Sequence, residues 1–321
     1  MPTFCRHNRL EATCPICSRK AKREQVAAPR RATPRPARSS SGRRPSTPRG
    51  GDLRVRRMAR AADDGYEQEL LPGLRSSVDA GRLADELAFA AARLEQLEAD
   101  PPGLYADVAL AGDPEEAAWL AFLIAYLSPL EGADPWAGIA AARTTWGSAE
   151  LPNLEDVALG PRTAHDPARG AATLLAYRAF AQRAGSQAAA FTGDATWPEQ
   201  RRFDRAFERL ALPGFGRAAR YELLVLLGHL GVFAVRPWSL QLAAEPLDPT
   251  VVAAKRALGI GDPLLLQRRA TELATVAEVP IEALDLALTN WARPEAERIT
   301  AGATVGIDPA RRAAIAATLG V

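Results

Sequence analysis

Two short stretches combine residue type and spacing in a way that points to chemistry: Cys5-x-His7 with Cys14-Pro-Ile-Cys17, and Leu212-Pro-Gly214-Phe-Gly216-Arg217. In the first, Cys5, His7, Cys14 and Cys17 supply three thiolates and one imidazole. That is a complete tetrahedral set for zinc with no open position, so the ion would be structural. A Cys-x-x-Cys pair bends two sulfurs toward one ion, and so short a segment needs such a staple to fold. The three cysteines of the chain all lie here, and the N-terminus lacks the apolar core of a signal peptide. An odd, tightly clustered set of this kind reads as metal binding in a reducing compartment, not as a disulfide framework. Free thiols on an unstructured tip are the plain alternative; a redox Cys-x-x-Cys lacks its βαβ surroundings.

The second stretch predicts a turn between two helices that holds an anion. Pro213 cannot continue the preceding helix, because it lacks an amide hydrogen and restricts Leu212 before it. Gly214 and Gly216 admit positive φ and leave no side chain to block a close approach. The amides of the turn and those opening the next helix then point outward together, with the helix dipole behind them. Phe215 would pack inward and pin the turn, while Arg217 and Arg220 would add charge-assisted contacts to a nucleic-acid phosphate. An ordinary inter-helix turn remains the alternative, since Gly and Pro are common in turns.

The elements that position these residues are predicted to be helices throughout. Alanine is abundant, β-branched residues are sparse, and no alternating strand pattern appears. Residues 1–20 form the zinc knuckle; 21–60, rich in Pro, Arg, Ser and Gly, read as a disordered basic linker. Residues 61–293 form an all-α body of about eight to ten helices, and 294–321 a C-terminal extension with a helix at 309–319 after Asp308. The 47% hydrophobic content is enough for a sizeable core. Asp113 before Pro114 should cap a buried helix that breaks at Ser128-Pro129, and Asp166-Pro167 should open another that runs to Gly185. Phe203, Phe207 and Leu210 share one face of the helix leading into the glycine turn.

The net charge of +2 hides an asymmetry: residues 18–60 carry 15 Lys/Arg against two acids, Glu24 and Asp52. A basic tail on an acidic body suits contact with a polyanion, and arginine predominates as it does at nucleic-acid surfaces. A solvated linker with no partner is the alternative. No apolar run reaches the roughly 18 residues of a membrane span, so a cytoplasmic, nucleoid-associated protein with DNA as partner is expected.

At "LPGFGRAA" the chain resembles the helix-hairpin-helix of the DNA glycosylase superfamily, with "DPEEAAWLAFLIAYLSPLEG" looking like the buried helix that opens that fold. "FAVRPWSLQL", Phe233 to Leu242, lies where that family places its catalytic segment. The sequence departs from the family at two places: no aspartate stands near Arg236, and Ala218 and its neighbours offer no lysine just after the hairpin. A closer resemblance is to the alpha-glutamyl/putrescinyl thymine pyrophosphorylases of clade 3, on the Cys/His head, the aspartate-lacking body, "LPGFGR" and "RPWSLQ". The resemblance implies group transfer on a hydroxymethyl-type pyrimidine in DNA, with an amine or amino acid replacing pyrophosphate.

On that reading Arg236 would hold a phosphate or pyrophosphate leaving group, Trp238 would stack a base, Gln241 would accompany them, and Glu131 would serve as an acid or base. Trp238 as a core residue and Glu131 as a solvated loop residue are the plain alternatives. Leu212, Gly214, Phe215, Gly216, Arg217 and Arg220 make up the expected DNA contact. His229 reads as a satisfied core histidine, and His165 as a loop residue. Tyr177, Arg178 and Trp197 have only their residue types to suggest a pocket. A non-catalytic DNA-binding protein of the same fold, or a glycosylase using Glu131, are the competing functions.

Overall fold

Asp113, Asp248, Asp262 and Asp308 each precede a proline, and each side chain accepts from first-turn amides of the helix that follows. The carboxylate satisfies donors the helix cannot, and the proline removes an amide that would be orphaned there. The computed structural model describes residues 61–321, so the knuckle and linker expected over 1–60 lie outside the described residues.

Among the described residues there are twelve α-helices and no strand. They are α1 Ser77–Ala99, α2 Leu104–Ala109, α3 Pro114–Leu127, α4 Ala137–Ala142, α5 Ala172–Ala184, α6 Gln187–Thr192, α7 Glu199–Arg209, α8 Arg217–His229, α9 Pro249–Leu258, α10 Pro263–Val276, α11 Ala283–Trp291 and α12 Pro309–Leu319. Eleven of them lie in 61–293, more than the expected eight to ten, because α2, α4 and α6 are six-residue helices, too short to show an apolar period. No helix among the described residues is long and apolar enough to cross a membrane.

Two expectations about the chain need correction. Asp166-Pro167 opens only a 3-10 turn, Pro167–Arg169, because Gly170 takes a left-handed φ of 49° and α5 starts afresh at Ala172. Residues 294–321 are not an extension. The α12 helix packs on α1, the Tyr66 hydroxyl donates to the Leu319 carbonyl at 2.5 Å, and Asn290 in α11 exchanges hydrogen bonds with Ile299.

The core runs along α3 and α8, which pack on each other. Every residue of α3 from Ala117 to Leu127 is buried, as an all-round apolar helix should be. Trp119, Phe122 and Tyr126, spaced three and four apart, stack along α3 against Tyr177 of α5 and Phe215. The helix ends at Ser128, whose φ of 62° is unusual for a residue with a Cβ, immediately before Pro129.

A chain of six alternating charges crosses this core. Arg93 of α1 pairs with Glu222 of α8; Glu222 pairs with Arg162; Arg162 pairs with Asp285 of α11. Asp285 pairs with Arg217, and Arg217 Nε lies 3.2 Å from Asp248, the cap of α9. Three cations and three carboxylates cancel, and all are buried or nearly so. Burial alone would raise the Asp285 carboxyl, but Arg217 and Arg162 outweigh it and hold it below the usual carboxylate range. The network ties α1, α8, α9 and α11 to the 160–164 segment.

Candidate nucleic-acid interface

The turn between α7 and α8 has the backbone the sequence suggests. Gly214 has φ of 78°, and Gly216, extended, caps α8. A Cβ on Gly214 would meet the Thr173 hydroxyl at 2.6 Å, so both its φ and its neighbours require glycine. Thr173 Oγ1 donates to the Pro213 carbonyl at 2.8 Å, bracing the turn on α5. Phe215 is buried against Phe122 and Tyr126 of α3, with ring centroids at 5.2 and 6.4 Å. Its amide donates to the carbonyl of Leu212, itself a buried residue. Pro213 is exposed and both glycines are partly exposed. Among the described residues the amides of Gly214 and Gly216 have no hydrogen-bond partner.

The two arginines expected to reach phosphate do not face solvent. Arg217 is 0% exposed, bound to Asp285, Asp248 and the Leu240 carbonyl. Its burial follows from charge neutralisation by two carboxylates that lie 31 and 68 residues downstream. Arg220 is buried over the Phe207 ring, 4.5 Å from its centroid, with one nitrogen 4.0 Å from Glu245. Burial pushes its guanidinium below the ordinary arginine range. Both side chains are structural.

Two other residues occupy the surface of the turn. The Glu245 carboxylate accepts from the Arg217 amide at 2.9 Å and would lie 3.1 Å from a Cβ placed on Gly216. An anion thus already sits at the positive end of α8, admitted by the missing side chain at 216. Arg169 is exposed, and its Cδ would lie 3.1 Å from a Cβ on Gly214, so this guanidinium stands beside the turn. Neither was visible in the sequence, because 29 and 45 residues separate them from the glycines they adjoin.

The 235–242 segment runs past the start of α7. Arg236 is bound to Glu98 at 2.6 Å and lies 3.9 Å from Glu282. His229, buried at the end of α8, lies between the same two carboxylates, Nδ1 and Nε2 each at 2.9 Å. Nε2 is hydrogen-bonded to the Glu282 carboxylate, whereas Nδ1, though near Glu98, has no hydrogen-bond partner among the described residues. Arg236 thus shares Glu98 and Glu282 with His229. Trp238 and Gln241 lie apart from this group: the indole Nε1 and the Gln241 amide both donate to Asp204 of α7, at 2.8 and 2.7 Å. Glu131 accepts from the amide and hydroxyl of Thr300, at 3.0 and 2.8 Å, tying down the loop before α12.

A recess opens where the end of α3 meets the start of α8. Ser128, Pro129, Arg162, Ala218, Glu222 and Ala301 contribute to its lining. It has room for about one water molecule, and none of Arg236, Trp238, Gln241 or Glu131 lines it. The four residues expected to act together thus fall at three separate places. Of the remaining candidates, Tyr177 is core, Arg178 lies over the Trp119 and Trp146 rings, and Arg201 covers Trp197 at 4.7 Å. His165 is buried and hydrogen-bonded to the Tyr126 hydroxyl at 2.8 Å. No group of three or more His, Cys, Asp or Glu among the described residues is arranged to hold a metal. Comparison of the chain with family models, curated proteins and solved structures finds no match.

Proposed function

We propose that the chain binds DNA by gripping the sugar-phosphate backbone with the α7–turn–α8 unit, a helix-hairpin-helix, and acts on a hydroxymethyl-type pyrimidine by group transfer. One observation carries the binding reading: the Arg217 amide at the start of α8 holds the Glu245 carboxylate beside Gly216, while those of Gly214 and Gly216 have no partner among the described residues. A phosphate is the polyanionic counterpart of that carboxylate. Arg169 replaces Arg217 and Arg220 as the cation beside the turn. Contacts of this kind fix position on the duplex without reading sequence. The basic 18–60 segment adds non-specific attraction, and Cys5, His7, Cys14 and Cys17 would hold a structural zinc.

The chemistry rests on the resemblance to the pyrophosphorylases. An amine nitrogen forms a bond to the pyrimidine's methylene carbon, the carbon–oxygen bond to pyrophosphate breaks, and the nitrogen gives up a proton. Positioning and stabilisation of the leaving anion are what the protein must supply. Ala218, in the recess, stands where the glycosylases with a lyase activity carry their lysine, which agrees with a reaction that forms no covalent adduct there. A binding-only protein is the second reading. It is favoured by the tightness of the recess and by the engagement of Arg236 with Glu98.

Two measurements test this reading. Glu245→Gln removes the competing negative charge at the hairpin and is expected to tighten duplex binding about fivefold, measured by fluorescence anisotropy at fixed salt; weaker or unchanged binding would assign Glu245 to capping alone. Mass spectrometry of nucleosides from DNA incubated with the protein and an amine is expected to show a heavier pyrimidine with intact strands. Abasic sites would instead mark a glycosylase, and unaltered nucleosides across modified substrates would leave binding alone.

A further inference from the structure

Trp238 is the one large aromatic among the exposed apolar side chains of the described residues, 55% exposed. Its neighbours hold it rigidly. The Ser239 carbonyl accepts from the Tyr221 hydroxyl at 3.2 Å, the Leu240 carbonyl accepts from the buried Arg217 at 2.7 Å, and the Leu240 amide donates to Gln267 at 3.1 Å. The indole itself is pinned by its N–H to Asp204. An aromatic ring fixed from beneath and left open to water is a platform with its ordering cost already met.

The rim of this platform is built at a cost. Gln241 takes φ of 54°, a left-handed backbone that a residue with a Cβ adopts only against strain. That conformation brings its carboxamide nitrogen onto Asp204 Oδ1 at 2.7 Å. One N–H of that amide is so committed, and the Gln241 amide oxygen is an acceptor. Asp204, half-buried, is acceptor-only while ionised. The edge beside the ring therefore offers the Asp204 carboxylate as its charged acceptor. On α7, Arg201 lies over the Trp197 ring and Arg205 pairs with Glu208, both exposed.

We infer that Trp238, with Asp204 and Gln241 on its rim, is a stacking site for an unpaired nucleobase that carries an exocyclic amine: cytosine or adenine rather than thymine. Stacking on the indole serves any base, whereas a carboxylate accepts from the cytosine N4 or adenine N6 amine and repels the thymine O4 carbonyl. The inference rests on the reading of the chain as a DNA-binding protein and concerns an unpaired base stacked at this platform, not the base that is modified.

Binding of the full chain to short single-stranded dC, dA and dT homopolymers, alongside a duplex, tests it. Wild type is expected to prefer dC and dA over dT by about tenfold. Trp238→Ala is expected to weaken all three by about tenfold, while Trp238→Phe, which keeps a ring, recovers part of the loss. Asp204→Asn puts an amide donor on the rim and is expected to move the preference toward dT without loss of dT binding. Equal wild-type affinities for the three, or unaltered binding by Trp238→Ala, would overturn the assignment. If duplex binding survives in that case, only the platform fails; if neither duplex nor single strand binds, the DNA reading fails with it.

Discussion

Asp285→Asn is expected to lower the unfolding free energy by about 3–5 kcal/mol, because it strands two buried guanidiniums. Arg217 would keep Asp248 and the Leu240 carbonyl, and Arg162 would keep Glu222, but the junction between the two halves of the charge chain would be gone. For a body of this size the midpoint of thermal unfolding should fall by about 10 °C. The neighbouring replacement Arg217→Met made together with Asp285→Asn should cost less than the two separately, since it also removes one of the stranded cations. The deficit depends on pH. Asp285 is held below its unfolded value, so its stabilisation is present above that value, near 3.8, and is lost as pH falls through the lower folded one. The gap between wild type and Asp285→Asn should therefore stay constant near neutrality and narrow below about pH 4. No gap at all would show that the ion chain contributes no net stability, and a constant gap down to pH 2 would show that the loss does not come from the Asp285 charge.

Gly214→Val is expected to weaken duplex binding about a hundredfold, the worth of about two charge-assisted hydrogen bonds. Valine cannot adopt φ of 78° without strain, and its Cβ would run into the Thr173 hydroxyl at 2.6 Å. The turn must then re-form with its amides aimed elsewhere. Phe215, packed on α3, keeps the body together, so the loss should fall on affinity far more than on the cooperative unfolding transition. Arg217→Met should behave in the opposite sense, costing stability while leaving the exposed surface of the turn in place, because its guanidinium is wholly buried. Anisotropy titrations and thermal melts on the same samples separate the two behaviours.

These contrasts show what the sequence reveals. Local signals carry well: Asp-Pro marks four helix starts, Ser128-Pro129 marks the end of α3, and the apolar face of Phe203, Phe207 and Leu210 is buried. The dipeptide fails elsewhere: Asp100-Pro101 follows the end of α1, Asp134 does not cap α4, and after Asp166-Pro167 Gly170 stops the helix after one turn. Charge is where local reading fails. Arg217 and Arg220 follow the glycine turn directly and look like phosphate ligands, yet the first is claimed by Asp248 and Asp285 and the second by the Phe207 ring. A buried ion chain assembled from α1, α8, α9 and α11 leaves no pattern along the chain, since its members are spaced by fold and not by helical period. The same holds for Glu245 and Arg169 at the turn, and for Asp204, which gathers Trp238 and Gln241 but precedes them by more than thirty residues. One general signal was available: a helix start such as that of α8, with no capping side chain of its own, needs an anion from elsewhere.

Backbone amide shifts of Gly214 and Gly216, followed by NMR in a glycine-labelled sample of the full chain as a short duplex is added, test the central claim most directly. Both signals are expected to shift more than those of the exposed glycines remote from the turn, such as Gly112 and Gly261, and to saturate together with the anisotropy titration. A duplex that binds while these two signals stay in place would locate the contact elsewhere and contradict the hairpin grip.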